Sequence, residues 1–324
     1  MTGTRRDTRL RDKLIVLIGG SGFFGRHLAQ ELLWRGARVR LVSRRPERAF
    51  DLRPLAAIGQ IQFLAGDVTR PAALAPLLTG ADGVVNLVGA FSGDLDALQG
   101  RGIGRLAAAA KAAEVGAFVH VSANAADAES PSDYARTKAE GEQAVRAAFP
   151  EATILRPAIL FGPDDAFLNR FARLIAWLPV LPVFGPEAKL QPVFVDDAAD
   201  AAAAALCDPT AHGGRSYELN GPEVLSMLEL NRAIAAAQGR RRGFIPLPDG
   251  LSGAIAALPL APITRDQWLL LKRGDVASGM LPGLKDMGIT PRPLSLFLDR
   301  WMVPYRKYGR FSDRVTLSGA PLRD

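Results

Sequence analysis

The chain is poor in the residues that staple or metallate small domains. A single cysteine, Cys207, among 324 residues excludes an internal disulfide, and the three histidines, His27, His120 and His212, lie too far apart for metal-ligand spacing. A reducing compartment and a metal-free site are expected. Long apolar runs are also missing. The longest uncharged stretch towards the C-terminal end, residues 251–263, is too short to span a bilayer and is broken by Pro259 and Pro262. Residues 1–12 lack the apolar stretch of a secretory signal and carry two aspartates, so they read as a short flexible tail rather than a targeting segment. No RNA-recognition signature, zinc finger or aromatic-and-basic strand accompanies the net charge of +7. The excess charge therefore points to nucleotides, acidic proteins or anionic lipid surfaces, and no nucleic-acid partner is expected.

What is present is an ordinary globular composition, 48% hydrophobic and 23% charged, in a chain too long for one compact core. Short apolar runs at 14–18, 39–43, 60–64, 83–88, 117–122 and 153–156 alternate with helical patterns, the rhythm of βαβ units in a parallel sheet buried on both faces. The predicted fold is α/β: a doubly wound parallel Rossmann sheet over 13–161, with a smaller C-terminal α/β lobe formed by 162–190 and 211–298. After Phe161 the rhythm loosens at Gly162-Pro163, Leu178-Pro179, Leu181-Pro182 and Gly185-Pro186. A strand at 192–195 and an Ala-rich helix from Asp197 to Leu206 follow, and the segment 191–210 is expected to return to the first domain.

The first strand runs into Gly19-Gly20-Ser21-Gly22-Phe23-Phe24-Gly25 at the mouth of an amphipathic helix. Gly19 permits the tight turn, Gly22 lets backbone approach a pyrophosphate, and Gly25 lets the helix sit close on the sheet, with its N-terminus facing the anion. A ribose 2′-hydroxyl is usually read by an acid at the end of the second strand. This chain instead has Ser43-Arg44-Arg45, a hydroxyl and two guanidinium forks suited to a phosphate dianion, so NADP(H) is the expected cofactor. Gly66-Asp67-Val68 follows the third strand and Asn86-Leu87-Val88-Gly89 closes the fourth, at carboxyl ends where open α/β sheets bind ligands. Asp67 serves either the adenine edge or the cap of a helix starting near Pro71.

Tyr134 and Lys138 lie one turn apart on a helix after the fifth strand. In the chemistry this spacing serves, the ammonium lowers the phenol pKa and holds the nicotinamide ribose while the phenol exchanges a proton with substrate. Ser122 either holds a substrate carbonyl or hydrogen-bonds the strand end; Ala123 takes the hydroxyl's place at one register. Catalytic candidates are thus Tyr134, Lys138 and Ser122.

With Ile154-Leu155-Arg156-Pro157, Phe161-Gly162-Pro163, the run from Gln191 to Ala198 and Tyr217-Glu218-Leu219-Asn220-Gly221-Pro222, residues 13–276 resemble an extended short-chain dehydrogenase/reductase of epimerase-like type. Val119-His120-Val121-Ser122-Ala123, the run from Tyr134 to Glu142, that from Ala152 to Pro163 and Thr264-Arg265-Asp266-Gln267 resemble most closely the branch holding the accessory subunit of respiratory complex I and its bacterial relatives. The resemblance implies that Val68, Val88, Gly89, Lys138 and Pro157 join the nucleotide site. It also implies that NADP(H) is held structurally, in a protein that supports the assembly or stability of a quinone-linked membrane complex. Location would be cytoplasmic, peripheral on the inner face of the membrane. The alternative is an active NADP-dependent oxidoreductase, epimerase or quinone-pathway enzyme. In the tail, 299–324, Trp301, Tyr305 and Tyr308 alternate with Arg306, Lys307 and Arg310, a mixture suited to docking on acidic protein or lipid headgroups; packing back onto the lobe is the other reading.

Overall fold

The structure, a computed structural model, describes residues 8–70, 73–258 and 263–311. In chain order the first half runs β1 (Leu14–Ile18), α1 (Phe23–Trp34), β2 (Arg38–Ser43), β3 (Ile61–Ala65), α2 (Leu74–Leu78), β4 (Gly83–Asn86), α3 (Arg101–Ala112), β5 (Ala117–Val121), α4 (Asp133–Ala148) and β6 (Thr153–Pro157). The second half runs β7 (Leu160–Phe161), α5 (Ala166–Trp177), β8 (Val180–Val183), β9 (Lys189–Leu190), β10 (Val193–Phe194), α6 (Val195–Cys207), α7 (Pro209–His212), β11 (Ser216–Leu219), β12 (Leu225–Ser226), α8 (Met227–Ala237), β13 (Gly243–Pro246), α9 (Asp249–Ala256), α10 (Arg265–Arg273) and α11 (Ser295–Trp301).

Seven strands form one parallel sheet in the order β11-β6-β5-β4-β1-β2-β3. Side chains of a strand alternate between faces, so Ile15 and Leu17 enter one core with α1 and α6, while Val16 and Ile18 enter another with α3 and α4. Alanines make the first layer thin: Ala198, Ala201, Ala202 and Ala205 of α6 are buried beside Leu28 and Leu32 of α1. The doubly wound α/β architecture is as the alternating pattern predicts. The seventh strand is a difference. Ser216–Leu219, expected in the C-terminal lobe, pairs with β6 at the sheet edge, and its polar Ser216 and Glu218 hide it from a search for apolar runs. The strand expected at 192–195 is only β10, because Val195 already opens α6.

Beyond the sheet lie three small two-stranded pairings, β7 with β10, β9 with β12 and β8 with β13, together with α5 and α8 to α11. Both expected tails need correction. Residues 1–7 fall outside the described residues, but Leu10 is buried in the core and anchors the otherwise exposed segment 8–12. At the other end Trp301 joins an aromatic cluster, stacking on Phe297 at 4.7 Å and meeting Phe161 and Phe194 at 5.9 and 5.7 Å. Tyr305 donates its hydroxyl to Asn169 Oδ1 at 2.6 Å, and its carbonyl accepts from Arg240. Arg306 donates to the Ala237 carbonyl at 3.0 Å. The docking reading of Trp301, Tyr305 and Arg306 is therefore overturned: the ring area that would anchor a partner is spent on the lobe's own core. Residues 312–324 lie outside the described residues.

Candidate nucleotide site

Gly19 ends β1 with φ +82° and its amide donates to Val42 O at 2.8 Å. A Cβ there would sit 3.2 Å from the backbone of Leu87 and Val88, so the turn also lies against the end of β4. At Gly25 a Cβ would come 2.4 Å from Gly20 O, which fixes how closely α1 crosses the turn. Gly22 differs. It is the N-cap of α1 and offers no side-chain cap, and a Cβ there would meet only Gly19 O at 3.6 Å. The first turn of α1 thus has no side-chain cap and no acid, the condition under which a helix N-terminus takes an anion. Ser21 lies in the turn half-buried, Phe24 is buried in the core, and the half-buried Phe23 packs on Gly162 and His27.

At the end of β2, Ser43 is buried and its Oγ has no partner, while Arg44 and Arg45 are exposed. Among the described residues neither guanidinium reaches a carboxylate within 4 Å. Asp67 accepts from the amide and hydroxyl of Thr69 at 2.9 and 2.8 Å, and so closes its own turn rather than capping α2, which begins at Leu74. The Thr69 amide first, and the Arg44 and Arg70 charges further, hold the Asp67 carboxyl below the usual range. Val68 is buried in the core beside Leu77. An unpartnered hydroxyl, two free guanidinium groups and an open cradle at Gly22 fit a dinucleotide lying across the turn.

At the other end of the cradle Lys138 is buried, donating to Val88 O at 3.2 Å and Val121 O at 3.1 Å, with Gly89 against its Nζ. Burial lowers its ammonium to about 8. Lys138 Nζ sits 5.9 Å from the Tyr134 ring centroid. Yet the phenol is pushed above its ordinary value, first by burial and then by the charges of Asp275 and Asp266, the opposite sign to that expected from the spacing. The exposed ring of Phe91 stacks on Tyr134 at 4.4 Å. The Ser122 amide donates to Leu155 O at 2.7 Å, while its buried Oγ has no partner. Pro157 ends β6, and its carbonyl accepts from the Asn124 amide at 3.1 Å. The structure therefore gathers Gly19, Gly22, Val88, Gly89 and Lys138 at the ends of neighbouring strands; Phe24 and Val68 point into the cores.

Sequence reading missed a strap from the C-terminal half. Asp266 Oδ1 accepts from the Asp133 amide at 2.8 Å, beside Tyr134, and Arg273 donates to Asn124 O at 3.2 Å. Asp275 accepts from the Ile159 amide at 2.6 Å, and burial raises its carboxyl to about 6. The only local signal was Asp266 within the Thr264–Gln267 string. Nothing near Asp275 in sequence announces that it reaches the end of β6.

The family model described as NAD(P)H-binding matches residues 19–168. The chain is 32% identical to the mitochondrial NADH dehydrogenase [ubiquinone] 1 alpha subcomplex subunit 9 of Mus musculus, over 93% of this chain and 82% of that protein. The chain belongs to the complex I subunit 9 family. This family member is also 33% identical to a ceramide reductase of Caulobacter vibrioides, over 73% of this chain and 74% of that one. Among solved structures it resembles the epimerase Mth375 of Methanothermobacter thermautotrophicus, with a TM-score of 0.70 and 18% identity over 92% of this chain and 94% of that one, a likeness of fold. A nicotinamide nucleotide is thus the cofactor of this subunit 9 relative.

Proposed function

We propose that the chain holds NADP(H) as a structural ligand and acts as an accessory component of a quinone-linked respiratory complex, peripheral on the inner face of the membrane. The observation that carries this reading is extent: likeness to the mouse respiratory subunit runs over 93% of the chain, C-terminal lobe included, whereas likeness to the reductase runs over 73%. The site supports it. Ser43, Arg44 and Arg45 offer a hydroxyl and two unengaged charges to a 2′-phosphate where an acid would repel it. Gly19, Ser21, Gly22 and the first-turn amides of α1 would hold the pyrophosphate, and Lys138, Val88, Gly89 and Pro157 the nicotinamide half. A bound nucleotide adds a hydride-carrying ring to this site. Tyr134, its phenol raised and its face covered by Phe91, is poorly set to act as a base.

A second reading, an active NADP-dependent reductase, is favoured by the intact Tyr134 and Lys138 and by the unpartnered Ser122 hydroxyl. Purification of the chain from native membranes separates the two. The accessory reading expects stoichiometric NADP(H) together with co-purifying respiratory subunits; recovery of a free, nucleotide-exchanging protein that turns over a carbonyl substrate would overturn it.

A further inference from the structure

With Trp301, Tyr305 and Arg306 packed inward, another apolar face of the lobe stands open. Two segments distant in sequence, 170–182 and 240–248, are brought together by the parallel pairing of β8 with β13, which sets Val180 opposite Gly243 and Pro182 opposite Ile245. Strand alternation sends Leu181 and Val183 inward and leaves Val180, Pro182 and Ile245 on the outside. At the end of α5, Trp177 is 86% exposed and Leu174 and Leu178 flank it. An indole and this many aliphatic side chains held in water are costly, and a monomer rarely keeps so large an apolar patch without using it.

Charge identifies the occupant. The two segments contain five arginines, Arg170, Arg173, Arg240, Arg241 and Arg242, and no aspartate or glutamate. Arg240 and Arg242 are engaged with backbone carbonyls, Arg240 at Tyr305 and Arg242 at Ile175, which tie the tail and the end of α5 in place. Arg173 and Arg241 are exposed, and among the described residues neither meets a carboxylate within 4 Å. A tryptophan at the boundary between aliphatic side chains and unpaired arginines is the composition of a surface lying in the lipid headgroup region. Among the described residues no helix is long and apolar enough to cross a membrane, so contact through this face would be peripheral.

We propose that the face formed by Trp177, Leu178, Val180 and Ile245, rimmed by Arg173 and Arg241, docks this lobe on an anionic phospholipid bilayer. The assignment rests on the reading of the chain as a membrane-peripheral protein. It takes the docking role that composition suggested for Trp301, Tyr305 and Arg306. An anionic leaflet attracts the arginines over about one Debye length, and the indole and aliphatic side chains then shed water at the headgroup boundary.

The test uses the full purified chain and sedimenting vesicles of phosphatidylcholine, with and without phosphatidylglycerol. Binding to the anionic vesicles is expected, with weaker binding to neutral ones and loss at high salt. Trp177 fluorescence, taken as the difference from Trp177→Phe, should shift to the blue and be quenched by brominated lipid. Arg173→Glu with Arg241→Glu should reduce partitioning about tenfold or more, and Trp177→Ser with Ile245→Ser should do the same without lowering the melting temperature, since all four side chains are exposed. Equal binding by these variants, or none by the parent chain, overturns the assignment. If vesicles fail while the same face, tested by the same substitutions, is needed for co-purification with respiratory subunits, the occupant is a protein and the lipid proposal is wrong although the accessory reading stands. Vesicle binding without co-purifying subunits has the reverse meaning.

Discussion

Replacing Arg44 and Arg45 together with alanine tests the proposed 2′-phosphate contact, because both side chains are exposed and neither holds the fold through an ion pair among the described residues. A charge-assisted hydrogen bond contributes about 1.5–3 kcal/mol, but solvent screening at exposed guanidinium groups brings this to about 1–1.5 kcal/mol each. The double variant should therefore bind NADPH more weakly by about 2–3 kcal/mol, roughly 30- to 150-fold. NADH lacks the phosphate, so its affinity should change less than about threefold. Asp67 sharpens the contrast. With Arg44 gone, its carboxylate has lost one neighbouring positive charge and repels the phosphate more strongly. Titration calorimetry of both nucleotides against both proteins measures the four constants. Equal affinity of the parent chain for NADPH and NADH, or an equal loss for both in the variant, would refute the reasoning.

Three further outcomes follow from the geometry. Gly22 has φ −76° and ψ 174° and room for a Cβ, so Gly22→Val should fold with no more than about 1 kcal/mol lost at the helix cap yet lose nucleotide-induced stabilisation, about 4 kcal/mol at a thousandfold excess over Kd; retained stabilisation in a thermal scan would remove Gly22 from the site. Trp301→Ala should cost about 2–3 kcal/mol and several degrees of melting temperature, because it opens the aromatic cluster around Phe161; an unchanged Tm would return the tail to the surface. His27 is held between Asp196 and Asp164; although burial opposes its charge, those two carboxylates win and raise its pKa above 6.5. A raised folded-state pKa contributes stability that is complete below the unfolded value and lost as pH rises through the folded one. As pH rises from below 6.5 through the raised folded-state value, the parent chain should therefore lose stability relative to His27→Gln, and parallel curves in denaturant unfolding would deny the contact.

The parallel sheet was legible because its central strands are buried on both faces and read as unbroken apolar runs. Strand β11 was not, since at the edge beside β6 its Ser216 and Glu218 need no burial in the core pattern. The glycine turn was legible because its spacing is fixed by two steric demands, the positive φ of Gly19 and the close crossing at Gly25, with Gly22 left open between them. Asp266, Arg273 and Asp275 escaped for a different reason: they reach the start of α4 and the segments after β5 and β6 across more than a hundred residues of chain, and only folding reveals which turn they close. The aromatic tail misled because composition suits a ring equally to a lipid surface or to a core, and only Phe161, Phe194 and Phe297 decide between them.

Whether the nucleotide is structural or turned over is tested most directly by Tyr134→Phe in a strain deleted for this chain. The substitution removes the phenolic proton and keeps the ring that stacks on Phe91. Assembly of the respiratory complex, scored on native gels of solubilised membranes, should be restored to the level given by the parent chain, with NADP(H) still bound. Failure as complete as deletion, from a variant that folds and retains nucleotide, would contradict the structural role and make proton transfer at Tyr134 the function of the site.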